Sequence, residues 1–322
     1  MIETTDLCKH FDGTKAVDGV TFSVDKGEIF GFLGPNGAGK TTTINILCTL
    51  LTPTSGEARV NGYDVSKNPN EVRKSIGLIF QEPSLDDRLT AEENLDFHGM
   101  IYDVPKGIRK ERKKELLDMV DLWDRRKDVV KTYSGGMKRR LEIARGLLHH
   151  PKILFLDEPT LGLDPQTRSH IWRYINKLRE EQGITIFMTT HYMDEAENCD
   201  RIAIIDYGKV VALDTPDNLK RFVGGDVITI KTTDDEKAEK EIGEQYNLHV
   251  RRDAGGIHLE IENSEEFIPQ FISSFSTKIN SIHLRRPTLD DVFLKLTGHE
   301  IRTEEASVRD RMKAGMRMRG GH

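Results

Sequence analysis

The stretch Gly34-Pro35-Asn36-Gly37-Ala38-Gly39-Lys40-Thr41-Thr42 has the spacing G-x-x-x-x-G-K-[ST]. Glycine tolerates the backbone angles that turn successive N–H groups inward around an anion. The apolar run Ile29-Phe30-Gly31-Phe32-Leu33 precedes this loop, and the helix-like stretch Thr43-Ile44-Asn45-Ile46-Leu47-Cys48 follows it. A helix starting there adds its positive end to the same site. Lys40 can then reach the β- and γ-phosphates of a nucleotide, and the Thr41 hydroxyl is placed to ligate Mg²⁺. A dinucleotide site would need G-x-G-x-x-G, which this loop does not spell.

A second reactive pair closes another apolar run. Ile153-Leu154-Phe155-Leu156 leads into Asp157-Glu158. In open α/β sheets, ligands gather at the carboxyl ends of strands. Asp157 is placed to hold Mg²⁺, directly or through a water. Glu158 is placed to polarise a water for in-line attack on the γ-phosphate. Two further strand candidates end in polar residues: Ile76–Phe80 in Gln81, and Ile184–Thr189 in Thr190-His191. His149-His150 lack Cys or carboxylate partners at ligand spacing and read as surface residues. Cys8, Cys48 and Cys199 lie far apart without metal-ligand spacing, so reduced thiols are expected.

The elements that must position these groups alternate. Continuous apolar runs separated by amphipathic helices argue for a mainly parallel sheet covered on both faces. Before it, Asp12-Gly13 and Asn61-Gly62 mark two hairpins. From Thr90 to Asp128 the pattern is helical, opened by a Thr90-to-Glu93 capping box. Ile108, Leu116 and Val120 recur there at helical spacing. The basic run Lys110, Arg112, Lys113, Lys114 is interleaved with Glu111 and Glu115, which points to a solvated helix face. Ser134 opens another helix, and Pro165–Gln182 forms a further one stopped by Gly183. After Pro216 the order becomes β-α-β-β-α-β, the split βαβ of a ferredoxin-like domain. The expected division is a nucleotide-binding domain at 1–222, with a helical subdomain at about 88–150, and an accessory domain at 223–298. The polar, basic tail at 299–322 is expected to be disordered.

The net charge of −6 gives no reason to expect a nucleic-acid partner. No apolar run approaches the ~20 residues that span a bilayer. Met1–Asp6 shows no basic segment followed by an apolar one, so no signal peptide is expected.

Tyr133-Ser134-Gly135-Gly136-Met137-Lys138-Arg139-Arg140 resembles the signature motif of ABC-transporter ATPases. The rest of that family's pattern follows in order over residues 2–220. Gln81 is similar to its Q-loop glutamine, Asp164 in Leu161-Gly162-Leu163-Asp164 to its D-loop aspartate, and His191 to its switch histidine. Phe11 stands where the family has an adenine-stacking aromatic. Two positions depart: Tyr133 and Met137 replace the usual Leu and Gln, while Ser134-Gly135-Gly136 is intact. Phe11 in place of the common Tyr keeps the π-face and loses the hydroxyl.

The resemblance implies an α/β P-loop ATPase core with antiparallel β and helical subdomains. ATP and Mg²⁺ are the implied ligands. Lys40, Gln81, Glu158 and His191 would be catalytic, and Thr41, Gln81 and Asp157 would hold the metal. Phe11, Gly34 to Thr42, Ser134, Gly135, Gly136 and Asp164 would contact nucleotide. Ser134 and Gly136 sit at a helix N-terminus, a second anion site, which a partner copy most simply supplies to the same γ-phosphate. A sandwich of two copies, or of this chain and a paralogue, is implied.

The finer resemblance is to ATP-binding subunits of daunorubicin-resistance-type, ABC-2 exporters. It rests on Thr132–Arg145, Pro159–Pro165 and Pro287–Gly298. It implies export of a drug, antibiotic or lipid through a separate polytopic permease, with this chain at the cytoplasmic face of the membrane. Docking is implied between Gln81 and about Tyr102, with Glu82, Pro83 and Leu85 as candidates. The repair branch of the family carries coiled coils or zinc modules, and the translation branch usually two cassettes; this chain has neither. The alternative is a soluble ATP-dependent clamp or regulatory module not coupled to transport. The C-terminal domain could bind a ligand or reinforce the dimer.

Overall fold

Strands β1 (Ile2–Phe11) and β2 (Thr14–Val24) are joined by Asp12-Gly13, whose φ angles of 33° and 87° are both positive. That is the geometry of a two-residue type I′ turn, which Asn, Asp and Gly favour. Asn61-Gly62 repeats it between β4 (Ser55–Val60) and β5 (Tyr63–Asp64). These four strands form one antiparallel sheet in the order β2-β1-β4-β5. The computed structural model describes residues 1–82, 84–246, 248, 250–253, 256–261 and 264–298. Pro83, Gly255 and the tail 299–322 lie outside the described residues.

The second sheet brings the chemistry together. It contains β3 (Ile29–Leu33), β6 (Ile76–Ile79), β7 (Ile153–Asp157), β8 (Thr185–Thr190), β9 (Arg201–Asp206) and β10 (Lys209–Asp214), in the order β10-β9-β3-β8-β7-β6. β3, β8, β7 and β6 run parallel, with Leu33 opposite Thr190, Asp157 opposite Thr189 and Ile79 opposite Leu156. Their carboxyl ends therefore emerge on one edge. Gly34, Gln81, Glu158 and His191 all follow those ends. Every residue of β3, β7 and β8 is buried, as a sheet covered on both faces requires. The two sheets share one core, in which Phe22 of β2 stacks on Phe30 of β3 with ring centroids 5.3 Å apart, and on Phe187 of β8 at 5.8 Å.

Helix α1 (Lys40–Leu47) leaves the phosphate loop, and α2 (Pro69–Ser75) precedes β6. Between β6 and β7 lie α3 (Ala91–Ile101), α4 (Lys106–Met119) and α5 (Gly135–Gly146). Thr90 and Glu93 form the expected capping box. The basic run on α4 is a solvated face only in part: Lys110 and Lys114 are exposed with Glu111 and Glu115, but its middle is not. Arg112 and Lys113 are buried, Arg112 bonding Glu115 at 2.8 Å and the Leu147 carbonyl at 2.9 Å, and Lys113 pairing with Glu92 and Asp96. Ile108, expected on the apolar stripe, is 46% exposed. The helix buries two cations because acidic side chains and a carbonyl face them, which one-dimensional spacing does not show. His149 is likewise no plain surface residue: its ring stacks on Tyr102 at 3.9 Å and bonds the Ile76 carbonyl at 2.8 Å.

Helix α6 (Pro165–Gln182) ends at Gly183 in the left-handed region, and α7 (Met193–Ala196) follows His191 and Tyr192. A second unit begins at Asp214. It opens with α8 (Pro216–Val223), followed by β11 (Asp226–Thr232), α9 (Asp235–Tyr246), β12 (Val250–Asp253), β13 (Gly256–Ile261), α10 (Ser264–Ser274) and β14 (Ile279–Arg285). The antiparallel order β12-β13-β11-β14 is the ferredoxin-like arrangement, with its own core around Ile228, Ile230, Leu259 and Phe271. Helix α11 (Leu289–Thr297), capped by a Thr288-Asp291 box, fixes α8 through Lys295, which bonds the Phe222 and Val223 carbonyls at 3.0 and 2.9 Å. Among the described residues, no helix is long and apolar enough to cross a membrane.

Candidate active site

The phosphate loop leaves β3 and closes on Gly39, which stands at the N-terminus of α1 with φ of 107°. A Cβ there would collide with the Ala16 carbonyl, so no other residue fits the loop. Lys40, buried at 5% exposure, folds back over the loop and donates to the Gly34 and Pro35 carbonyls at 2.9 and 3.2 Å. Its ammonium also lies 3.1 Å from Glu158 Oε1. The other Glu158 oxygen lies 3.2 Å from His191 Nδ1, within ion-pair distance but without hydrogen-bond geometry. Burial alone would raise the Glu158 carboxyl; His191 and Lys40 outweigh it and hold it below the usual glutamate value.

Asp157, one residue earlier, points to the other side of the strand end. Its Oδ1 accepts from Thr189 Oγ1 at 2.6 Å and lies 3.4 Å from the Thr41 hydroxyl. Burial pushes its carboxyl up, against those two hydrogen bonds. Thr41 and Asp157 thus set two hard oxygen donors side by side, a donor set that suits Mg²⁺. A cavity of about 660 Å³ opens above these groups. Its wall includes Asn36, Gly37, Gly39, Lys40, Thr41, Thr42, Gln81, Glu158 and His191, and also Ala16, Leu161 and Tyr192, which sequence reasoning did not select.

The remaining candidates lie elsewhere. Gly34, Pro35 and Ala38 belong to the loop but not to the cavity wall. Phe11 is 42% exposed at the tip of the β1–β2 hairpin, with the Lys9 ammonium 5.1 Å from its ring centre, and it too is outside the wall. Ser134 caps α5 by accepting from the Met137 N–H at 3.3 Å. Gly136 abuts the start of α6, where Asp164 caps the helix by accepting from the Thr167 N–H at 3.0 Å. Ser134, Gly136 and Asp164 therefore form a second group, outside the wall of the cavity over the phosphate loop.

Glu195, which the sequence reading passed over, is 1% exposed on α7. It accepts from Thr190 at 2.7 Å and from Thr160, the residues beside His191 and two after Glu158. The cysteine reading needs one correction. Pairing β1 with β2 brings ligand atoms of Cys8, His10 and Asp18 within 4.8 Å of one another. Asp18 is already engaged by Lys15 at 3.3 Å and Lys209 at 3.5 Å. All three cysteines are free.

The comparisons with known proteins fit this geometry. Residues 17–161 match the family described as ABC transporter, and residues 215–297 the one described as ATP-binding protein DrrA1-3-like, C-terminal domain. The daunorubicin/doxorubicin resistance ATP-binding protein DrrA of Streptomyces peucetius is 40% identical, with 97% of each chain covered. The chain belongs to the ABC-transporter ATP-binding family. The linearmycin resistance ATP-binding protein LnrL of Bacillus subtilis (strain 168) is 38% identical over 94% of this ABC subunit and 100% of that protein. Among solved structures, the dimeric post-hydrolysis state of the ATP-binding cassette MJ0796 bound to ADP and Pi superposes with a TM-score of 0.61. It is 29% identical and covers 67% of this chain and 98% of its own. As a member of this family, the ABC subunit binds ATP and hydrolyses it, and the hydrolysis is coupled to transport.

Proposed function

We propose that this chain powers export of a drug, antibiotic or lipid through a separate membrane-spanning partner, as a peripheral subunit on the cytoplasmic face of the membrane. The observation that carries the catalytic part is the convergence of Lys40, Glu158 and His191 at the mouth of the phosphate loop. Lys40 lies 3.1 Å from Glu158 and neutralises it. Lys40 would engage the phosphates of a bound triphosphate, and Glu158, on the wall of the same cavity, would then be free to orient a water. His191 holds the carboxylate from the other side and can stabilise charge on the γ-phosphate. Thr41 and Asp157 would hold Mg²⁺, with Gln81 on the wall of the same cavity, and the ion would supply charge neutralisation for phosphoryl transfer.

Two further observations support the transport part. The DrrA and LnrL proteins are named for resistance to daunorubicin, doxorubicin and linearmycin. Helix α3 exposes Phe97, Met100 and Ile101, each more than half exposed. A cluster of large apolar side chains like this marks an interaction surface, and it coincides with the docking region the family resemblance implies. Ser134, Gly136 and Asp164, which do not line their own chain's cavity, would complete the site of a second copy or a paralogue.

The test is affinity purification of Glu158→Gln from membranes in Mg-ATP, followed by identification of what accompanies it. A polytopic membrane protein is the expected companion. A soluble complex or a lone dimer would move the reading to an ATP-dependent clamp.

A further inference from the structure

Glu158 adopts φ of 45°, in the left-handed region that a bulky residue enters only when its surroundings hold it there. The carbonyls of both neighbouring residues, Asp157 and Pro159, are gripped by one side chain from another element. Arg139, 6% exposed on α5, donates through Nε to the Pro159 carbonyl at 2.6 Å and through Nη2 to the Asp157 carbonyl at 3.2 Å. Its Nη1 donates to the Phe80 carbonyl at 2.5 Å, immediately before Gln81, and to Glu142 Oε2 at 3.1 Å. Glu142 is fully buried one turn further along α5. Its other oxygen accepts from the Ser84 N–H at 2.8 Å, on the far side of Gln81. One buried ion pair therefore touches both neighbours of Glu158 and both flanks of the segment that carries Gln81.

We infer that Arg139 and Glu142 are positioning residues for hydrolysis, making the backbone around Glu158 and the segment after β6 move as one unit. The inference deepens the proposed function and rests on its assignment of Glu158. The planar guanidinium matters because it spans three carbonyls in fixed directions, which a lysine ammonium cannot do. Arg145, by contrast, bonds only Ser84 among the described residues, through its carbonyl at 2.6 Å and its hydroxyl at 2.5 Å. A displacement of the segment beside the exposed Phe97, Met100 and Ile101 would thus reach Glu158 through Arg139, without passing through the nucleotide.

The experiment compares Arg139→Lys, Glu142→Gln and Arg145→Ala in the full chain, by steady-state ATPase assay, nucleotide binding and amide hydrogen exchange. Arg139→Lys keeps the charge opposite Glu142 and loses the fork. Its kcat should fall about 10- to 100-fold, as a small displacement of a catalytic group does, while the Kd for ATP stays within about twofold. Amides at 158–161 and at 80–86 should exchange faster together. Arg145→Ala should speed only the second segment. Glu142→Gln keeps an acceptor for Ser84 and serves if Arg139→Lys fails to fold; it should act in the same direction, more weakly. Full kcat in the folded Arg139→Lys variant, or exchange in the two segments changing independently, overturns the inference. An active Glu158→Gln variant would instead strike the catalytic assignment, and the exchange coupling would stand.

Discussion

Glu158 is the residue on which the hydrolytic reading turns, and its surroundings set a clear expectation. Its two carboxylate oxygens lie 3.1 Å from the Lys40 ammonium and 3.2 Å from His191 Nδ1. Glutamine keeps the shape and loses the basicity. Glu158→Gln should lower turnover by roughly 10²–10⁴-fold, the range for losing a general base, with ATP binding retained. A phosphate-release assay beside a nucleotide-binding titration checks both halves. Full turnover in the variant would remove Glu158 from the mechanism. Asp157 should behave differently, because its carboxylate contacts Thr189 and Thr41 rather than a cation. Asp157→Asn should weaken Mg²⁺-dependent nucleotide binding more than metal-free binding, measured by titrating ATP with and without Mg²⁺. Equal losses in both conditions would remove the metal role.

At the scale of elements, the phosphate loop and the helical segment between β6 and β7 make separate predictions. Gly39→Ala forces a Cβ onto a backbone at φ of 107° and against the Ala16 carbonyl. Strain of this kind costs about 1–3 kcal/mol. Urea unfolding should show that loss, with ATP affinity falling alongside; unchanged affinity would mean that the loop relaxes freely. In the helical segment, burial together with the nearby Arg145 and His149 pushes His98 down to about 3. A base whose folded value is depressed stays neutral in the fold and binds its proton only on unfolding. Its contribution is fully present above the unfolded value of 6.5 and drains away as pH falls toward about 3. His98→Leu should flatten the decline of stability with pH across that window, read as urea midpoints. An unchanged slope would mean that His98 is protonated in the fold.

These elements also mark how far the sequence could be read. The phosphate loop, Asp157-Glu158 and both type I′ turns were legible because their chemistry is local: a spacing, a dipeptide, a glycine at a required angle. The order β-α-β-β-α-β announced the second unit for the same reason. The burial of Arg112 and Lys113 was not legible, since the groups that neutralise them come from α3, α4 itself and the end of α5. Glu195, Arg139 and Glu142 escaped for the same reason. Each is an unremarkable polar residue on its own helix, and becomes informative only when strands β6, β7 and β8 bring their ends together.

For the molecule as a whole, the decisive feature is that the residues resembling the family's nucleotide contacts fall into two separate groups. The cavity over the phosphate loop is lined without Ser134, Gly135, Gly136 or Asp164. Those residues cluster where α5 and α6 begin, with the cap of α5 offering free N–H groups to an anion. If a second copy supplies them, nucleotide and dimer must be linked: ATP held but not hydrolysed should draw two chains together. Glu158→Gln in Mg-ATP should therefore run as a dimer in size-exclusion chromatography with light scattering, and as a monomer without nucleotide. Adding Ser134→Glu places a carboxylate where the partner's γ-phosphate would dock. The double variant should stay monomeric in Mg-ATP, yet bind ATP with the affinity of Glu158→Gln, because Ser134 takes no part in its own chain's cavity. A fall in monomer affinity would place Ser134 in the same-chain site. Dimerisation despite the added charge would place the interface elsewhere.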